Sequence, residues 1–323
     1  MDTVTHTLMG GTLLGLATID PSVDPLTLGF GATVLGASLI PDIDTTLKLK
    51  NNAVYIKNHR GITHSIPFTF IIWPVLLATI SYFFFDLPFV NMYFWSLLAV
   101  FLHVFVDIFN MYGTQMIRPL RNTWIQLGFI NTVDIPIIVL LSSYLILWFL
   151  GLDPIILFII VYSIIFIYYI VRYAYQQTLK RRVRNLLPQE HIVRTFVMPT
   201  IKFFEWRVAL DTDNSFYVGR AFKSQVVLYD EFKKMEPLRE DLYEIIKYDE
   251  NFKSFTFFSS IYRYEIKHLE DETVEIRYTD LRYLKDGHYP FVCVLIVDEA
   301  SKEVISSFTG WVFSEDKLQQ KIK

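Results

Sequence analysis

The sequence predicts an α-helical membrane domain, with four long spans and two short N-terminal apolar helices, followed by a small, mostly antiparallel β domain with one helix. Three observations lead there. Of the 323 residues, 52% are hydrophobic and the mean hydropathy is +0.33, whereas a soluble chain is usually about 45–50% apolar. The charge is unevenly spread: residues 1–171 hold 15 of the 63 Asp, Glu, Lys and Arg side chains, and residues 172–323 hold 48. The charged half also alternates apolar and polar residues in short runs, as half-buried strands do. Together these exclude a uniform soluble globule, a disordered chain and a fibrous repeat. The single cysteine, Cys293, excludes an internal disulfide and a cysteine-built metal site. A net charge of −3 gives no reason to expect direct nucleic-acid binding.

Taken in order, residues 7–19 and 26–40 are apolar, rich in glycine and short for a bilayer. They fit closely packed short spans or a re-entrant hairpin covered by protein. Residues 65–85, 88–106, 135–151 and 154–171 reach the length of about 17–25 residues that a spanning helix needs. Residues 172–187 are basic and amphipathic and extend the last helix as a linker into the headgroup region. Residues 188–323 form the β domain. Its strands read at 206–210, 215–222, 226–229, 255–264, 274–278, 291–298 and 304–313, with a helix at 237–248. His191, His268 and His288 lie there without metal-like spacing.

Lysine and arginine set the orientation. Lys48, Lys50, Lys57 and Arg60 precede the first long span, Arg118 and Arg121 follow the second, and Arg172 and Lys180 to Arg184 follow the fourth. The intervening loops carry Asp20, Asp24, Asp86 and Asp153 and no basic residue. The positive-inside rule therefore expects a multi-pass cell-membrane protein whose basic loops and C-terminal domain are cytoplasmic.

Seven polar residues fall at that same side: His6, Asp42, Asp44, His59, His64, His103 and Asp107. Imidazole and carboxylate together suit zinc, and also manganese or iron. His103 and Asp107 are four apart on a helix and so share a face. His59 and His64 flank Gly61, which permits the turn that faces both toward one ion. An ionisable group inside a span is a functional candidate by default. Arg60 and Arg118 are the candidate anion contacts, because guanidinium matches phosphate bidentately. Asp42 is a candidate general base if Asp44 is a ligand, and spacing does not separate the two. Thr63, Ser65, Thr114 and Gln115 are candidate hydrogen-bond donors to ligand side chains or substrate.

The motifs Leu39-Ile40-Pro41-Asp42-Ile43-Asp44, His59-Arg60-Gly61-Ile62-Thr63-His64-Ser65 and His103-Val104-Phe105-Val106-Asp107 resemble those of the membrane-bound metal-dependent hydrolases, the YdjM-like inner-membrane family. The extension Asp107-Ile108-Phe109-Asn110-Met111-Tyr112-Gly113-Thr114-Gln115 looks most like the YfhP-type branch of Bacillus-like bacteria. The resemblance covers about the first 135 residues. That family is in turn similar to zinc-dependent phospholipases C and related single-strand nucleases, which share the order His, Asp, His, His-x-x-x-Asp. Here those positions are His6, Asp44, His64, His103 and Asp107. The resemblance implies a helical metal site that cleaves phosphoesters. The soluble enzymes carry a second His-x-x-x-acid pair, and this chain has no histidine between Asp107 and His191. One or two ions, rather than three, are the expectation that carries over.

Two functions follow. One is a metal-dependent hydrolase of the membrane interface, acting on a phosphoester such as a lipid headgroup through a metal-activated water, with membrane lipid as its partner. The other is a non-enzymatic, membrane-tethered regulator that binds a protein partner through the β domain, a membrane-tethered transcriptional regulator included.

Overall fold

Asp2 opens the first helix by accepting the amide of Val4 at 3.1 Å. This helix, α1 (Thr3–Leu16), crosses α2 (Leu28–Leu39) closely, because a Cβ on Gly10 would stand 2.6 Å from Ser38 Oγ. A tight 3₁₀ stretch, Ile40–Leu49, carries the Pro-Asp-Ile-Asp motif and leads to the short α3 (Asn52–Asn58). A 3₁₀ turn at Ile62–His64 and a π turn at Phe68–Ile72 then run into α4 (Trp73–Phe85). The helices α5 (Phe89–Asp107), α6 (Ile135–Phe149) and α7 (Pro154–Asn185) follow. The computed structural model describes residues 1–223, 225–269, 273–285 and 287–322. They divide into two compact units. One comprises Met1–Asp44, His59–Gln177 and Met198–Phe203; the other comprises Thr45–Asn58, Thr178–Val197 and Phe204–Lys323.

In the helical unit, Leu13, Phe30, Val34, Met92 and Val100 form one buried apolar cluster. Many other apolar side chains face outward, among them Phe83, Phe84, Phe149 and Phe166. That inversion belongs to helices whose outer solvent is hydrocarbon. Among the described residues three helices are long and apolar enough to cross a membrane: Phe68–Phe85, Phe89–Asp107 and Pro154–Asn185. The expectation of four long spans is therefore corrected. The third expected span, at 135–151, is the 15-residue α6, about 22 Å long at 1.5 Å per residue against a hydrocarbon core of about 30 Å. Local chemistry sets both its ends. The Asp134 side chain accepts the amide of Ile137 at 3.4 Å with Pro136 in the first turn, and Gly151, at φ +91°, turns the chain away.

In the second unit the strands β1 (Ile192–Pro199), β2 (Glu205–Thr212), β3 (Ser215–Phe222) and β4 (Gln225–Lys233) make a sheet in sequence order. β2, β3 and β4 pair antiparallel, with Trp206 opposite Ala221. After α8 (Glu240–Ile246) and α9 (Glu250–Phe258) comes a second sheet of β5 (Tyr262–His268), β6 (Thr273–Asp280), β7 (Phe291–Asp298) and β8 (Glu303–Trp311), closed by α10 (Glu315–Ile322). This sheet is also in sequence order and antiparallel throughout. β7 reads as an unbroken apolar run because both of its faces are covered. Val292 and Val294 meet Leu318 and Ile322 of α10, while Phe291 stacks on Phe255 of α9 with ring centroids 5.6 Å apart.

The single helix expected in this domain is also corrected. The helix expected at 237–248 is α8, and α9 and α10 add two more. Residues 255–264, expected as a strand, end α9 and begin β5 only at Tyr262. Aromatic richness favours strand on propensity. Here Asp249 caps the helix by accepting the amide of Phe252 at 2.9 Å, and the i,i+3 pair Phe252 and Phe255 is buried. Replacing the fully buried Phe255 by alanine should destabilise the C-terminal sheet by about 3–5 kcal/mol. Chemical unfolding followed by tryptophan fluorescence should show the lowered midpoint.

Candidate metal centre

The candidate residues reach the site from four places in the helical unit. His6 comes from α1. Asp42 and Asp44 come from the 3₁₀ stretch, His59 to His64 from the loop before α4, and His103 and Asp107 from the last turns of α5. The loop is built around Arg60, whose φ of +59° turns the chain back on itself. Its carbonyl accepts the amide of Gln115 at 3.0 Å, and the amide of Ile66 reaches the carbonyl of Arg118 at 3.1 Å. The segment after α5 thus braces the loop before α4. Gly113, at φ +70°, is needed in that segment because a Cβ there would strike the Ile125 carbonyl.

Four side chains converge. His64 Nε2 lies 3.6 Å from Asp42 Oδ1 and 3.7 Å from Asp107 Oδ2. His103 Nε2 lies 3.6 Å from the same Asp42 oxygen and 3.8 Å from the same Asp107 oxygen. Each of these four atoms is buried, and among the described residues none has a hydrogen-bond partner, although Asp107 Oδ2 has the Arg60 guanidinium 3.2 Å away as an ion pair. Buried polar atoms are nearly always paired, so four without a hydrogen bond, all within 4.8 Å of one another, could hold an ion. A tetrahedral set with bonds of about 2.1 Å has edges of about 3.4 Å. The observed separations exceed that by a few tenths of an ångström, which small side-chain shifts would close. The residues present therefore fit a divalent ion.

The far side of each imidazole fixes which nitrogen faces the centre. His103 Nδ1 bonds to the Ser38 carbonyl at 2.6 Å, and a carbonyl only accepts, so Nδ1 carries the proton and Nε2 presents a lone pair. His64 Nδ1 lies 3.0 Å from Thr63 Oγ1, whose proton goes to Asp44 Oδ2 at 2.7 Å. Thr63 thus accepts from His64, and Nε2 is again the free nitrogen. Asp44 also accepts from the Arg60 amide at 2.8 Å and pairs with His59 Nδ1 at 2.7 Å. A second trio, Asp42, Asp44 and His59, has its ligand atoms mutually within 4.8 Å and shares Asp42 with the first set.

The remaining candidates separate. His6 stacks on His103 with centroids 3.6 Å apart, and its Nε2 stands 3.4 Å from Asp107 Oδ1. Arg60 is buried, with Nε 3.2 Å from Asp107 Oδ2 and Nη2 donating to the Met1 carbonyl at 3.0 Å. Arg118 is not brought in: its guanidinium reaches Gln115 Oε1 at 3.5 Å. Two groups are additional to the sequence reading. The Met1 amine contacts Asp107 Oδ1, and no pattern in the chain signals it. Asn110 donates to Asp107 Oδ1 at 2.9 Å, and its own oxygen accepts the Tyr112 and Gly113 amides. The i,i+3 spacing of Asp107 and Asn110 is the signal that would have found it.

Burial tends to raise the Asp42 carboxyl; His103 and His64 when protonated, and the Arg60 guanidinium throughout, hold the group below the usual carboxylate range. Burial, and then the neighbouring His103, push His64 well below its ordinary value. Asp42 is thus anionic and His64 neutral near pH 7, the forms that bind metal. The unfolded chain takes up a proton on His64 near pH 6.5 that the folded chain refuses. Stability contributed by neutral His64 is therefore present above about pH 6.5 and lost as pH falls below it. Thermal melts of metal-free protein should show Tm declining from pH 7 to pH 5, less steeply in His64→Gln. Thr63→Val, which removes the hydroxyl between Asp44 and His64, should weaken metal binding about 10–100-fold, as read by competition with a chelating dye.

Family models match along most of the chain. Residues 1–179 match the YdjM inner membrane protein model, residues 189–232 the YfhP middle domain, and residues 241–322 the YfhP C-terminal alpha/beta plait domain. The uncharacterized protein YfhP of Bacillus subtilis (strain 168) is 45% identical over 327 residues, covering 100% of this chain and 99% of the relative. No solved structure matches. The helices, the His/Asp cluster and these matches together show that the chain belongs to the YdjM inner membrane protein family, in the form that carries the YfhP middle and C-terminal domains.

Proposed function

We propose that this protein is a membrane-bound, metal-dependent hydrolase acting on a phosphoester at the cytoplasmic membrane interface. The observation that carries the reading is the convergence of Asp42 Oδ1, His64 Nε2, His103 Nε2 and Asp107 Oδ2, all buried and, among the described residues, all without a hydrogen-bond partner. These four would hold one ion, zinc by the nitrogen and oxygen donor set, and Asp42, Asp44 and His59 form the candidate set for a second. When bound, the metal supplies Lewis acidity and activates water at neutral pH.

The chain's own residues divide the remaining work. Arg60 brings a guanidinium to the cluster and is the group that binds the phosphoryl oxygens. His59 is 21% exposed, so it joins the site to solvent while Asp44 grips its Nδ1. Its other nitrogen is the candidate proton donor to the leaving group where no second ion is held at His59. Asp44 orients His59, the Arg60 amide and Thr63 rather than acting alone. The sidedness rests on the Lys and Arg distribution, and the choice of a lipid headgroup as substrate on the site's position at helix ends of a membrane protein.

Elemental mass spectrometry of detergent-purified protein should find near-stoichiometric zinc, manganese or iron. In His64→Ala/Asp107→Ala that metal should disappear while the protein still inserts and elutes as wild type. Hydrolysis of a phosphodiester lipid should fall at least a hundredfold in the same variant. A folded wild type that stays metal-free after supplementation with all three metals overturns the reading. Arg60→Met should keep the metal and raise KM for the phosphoester, as loss of an anion contact does.

A further inference from the structure

The second unit contains a cavity of about 920 Å³ that neither the metal centre nor the family assignment accounts for. Its lining includes Arg194, Arg263, Tyr243, Tyr262, Phe252 and Ser259. The size is at the upper end for sites that bind small organic molecules. Ser259 is 4% exposed, and its hydroxyl is buried without a hydrogen-bond partner among the described residues. Arg263 Nε is likewise buried and unpartnered, although its Nη2 pairs with Glu265 at 2.8 Å. Asp211, the buried acid of the lining, is paired with Lys234 at 2.7 Å, and the other acids, Glu236 and Glu240, are exposed. Arg194 lies 3.9 Å from Asp211 and donates to the Ser260 carbonyl at 3.2 Å, so the inner wall presents aromatic side chains and guanidinium groups that already have protein partners, with a hydroxyl and an N–H that have none among the described residues.

We propose that this cavity binds a nucleotide-class ligand, a planar base carrying phosphate, and that its occupancy tunes the metal centre. Tyrosine faces stack on any base, and guanidinium pairs bidentately with phosphate. The route to the metal centre is α9. Phe252, Thr256 and Ser259, on and just beyond this helix, line the cavity, while α3 packs against α9 and β8 in the same unit. Asn52 of α3 donates to the Thr309 carbonyl, and Gly310 leaves the space that its amide occupies. The chain leaving α3 in one direction reaches Asp44 and in the other becomes His59 and Arg60. A ligand that shifts or stiffens α9 biases the segment joining both halves of the centre, and the coupling is reciprocal. The tuning step rests on the proposed metal site; binding to the cavity does not.

AMP and ATP titrated into the detergent-solubilised full chain by calorimetry should bind saturably. Arg194→Met and Arg263→Met should each weaken binding at least tenfold without changing the unliganded Tm. Saturating AMP should shift the zinc dissociation constant at least threefold, and Asn52→Ala should abolish that shift while leaving AMP affinity unchanged. Absence of saturable AMP and ATP binding, or binding unaffected by both arginine substitutions, overturns the cavity assignment. So does a preference for phenylalanine over both nucleotides, which would make the ligand an aromatic amino acid. AMP binding with an unmoved zinc affinity overturns the tuning. If zinc fails to bind at all, the proposed function falls, and the nucleotide titration, which needs no metal, still decides the cavity.

Discussion

Asp44 is 6% exposed and accepts from His59 Nδ1, the Arg60 amide and the Thr63 hydroxyl. A carboxylate in so dry a place is tolerated only when its oxygens are hydrogen-bonded. Those three bonds fix the His-Arg-Gly-Ile-Thr-His loop against the Pro-Asp-Ile-Asp stretch. Everything further in depends on this clamp. Thr63, held by Asp44, sets the proton on His64 Nδ1 and so turns His64 Nε2 toward His103, Asp42 and Asp107. Without it, the unusual backbone of Arg60, at φ +59°, would have little to hold it in place.

Charge is scarce in the helical unit, and what there is gathers at one point. Asp107 is fully buried, yet it contacts the Met1 amine, Arg60, Asn110 and three imidazoles. Burial and the Arg60 guanidinium push the Met1 amine well below its ordinary value, so the cluster is not a simple ion pair. Two carboxylates facing one guanidinium in a water-poor site carry an excess of negative charge, and the histidines do not cancel it while neutral. A divalent cation answers both this excess and the four unsatisfied atoms. That is why the metal reading is preferred over a self-contained polar network, in which those atoms would be paired.

The two-part architecture is legible in the sequence because hydrocarbon and water demand opposite surfaces, and the charge distribution records that demand. The pair His103 and Asp107 is legible because helical periodicity is strict. The length of α6 is less so: hydropathy runs through Leu150 and Leu152, and only Asp134, Pro136 and Gly151 mark where the helix ends. Asp42 and Asp44 look equivalent as text. Their partners separate them: Asp44 takes three hydrogen bonds, from the His59 ring, the Arg60 amide and the Thr63 hydroxyl, while among the described residues Asp42 Oδ1 has none. The Ser38 carbonyl that orients His103 belongs to a residue with no recognisable ligand chemistry. Arg118 and Arg60 are both loop arginines by sequence, yet only Arg60 sits on a backbone turn that directs its side chain inward.

The segment 45–58 shows how connectivity carries more than a boundary does. A linker between two metal-binding motifs needs only to span the distance between them, and loops of that kind are commonly exposed. Here it contains a helix whose Ala53 and Ile56 are buried, and it belongs to the compact unit built by the C-terminal sheets. The helical unit therefore does not own all the chain that joins Asp44 to His59. Asp44 and His59 are held together by one hydrogen bond at 2.7 Å across this excursion. A side-chain hydrogen bond is worth about 1 kcal/mol net, and about 1.5–3 kcal/mol when charged. The packing of Ala53 and Ile56 in the other unit works on a comparable energy scale. The two terms are of the same order, so the excursion is anchored at both levels: by the Asp44–His59 bond in one unit and by the packing of α3 within its own.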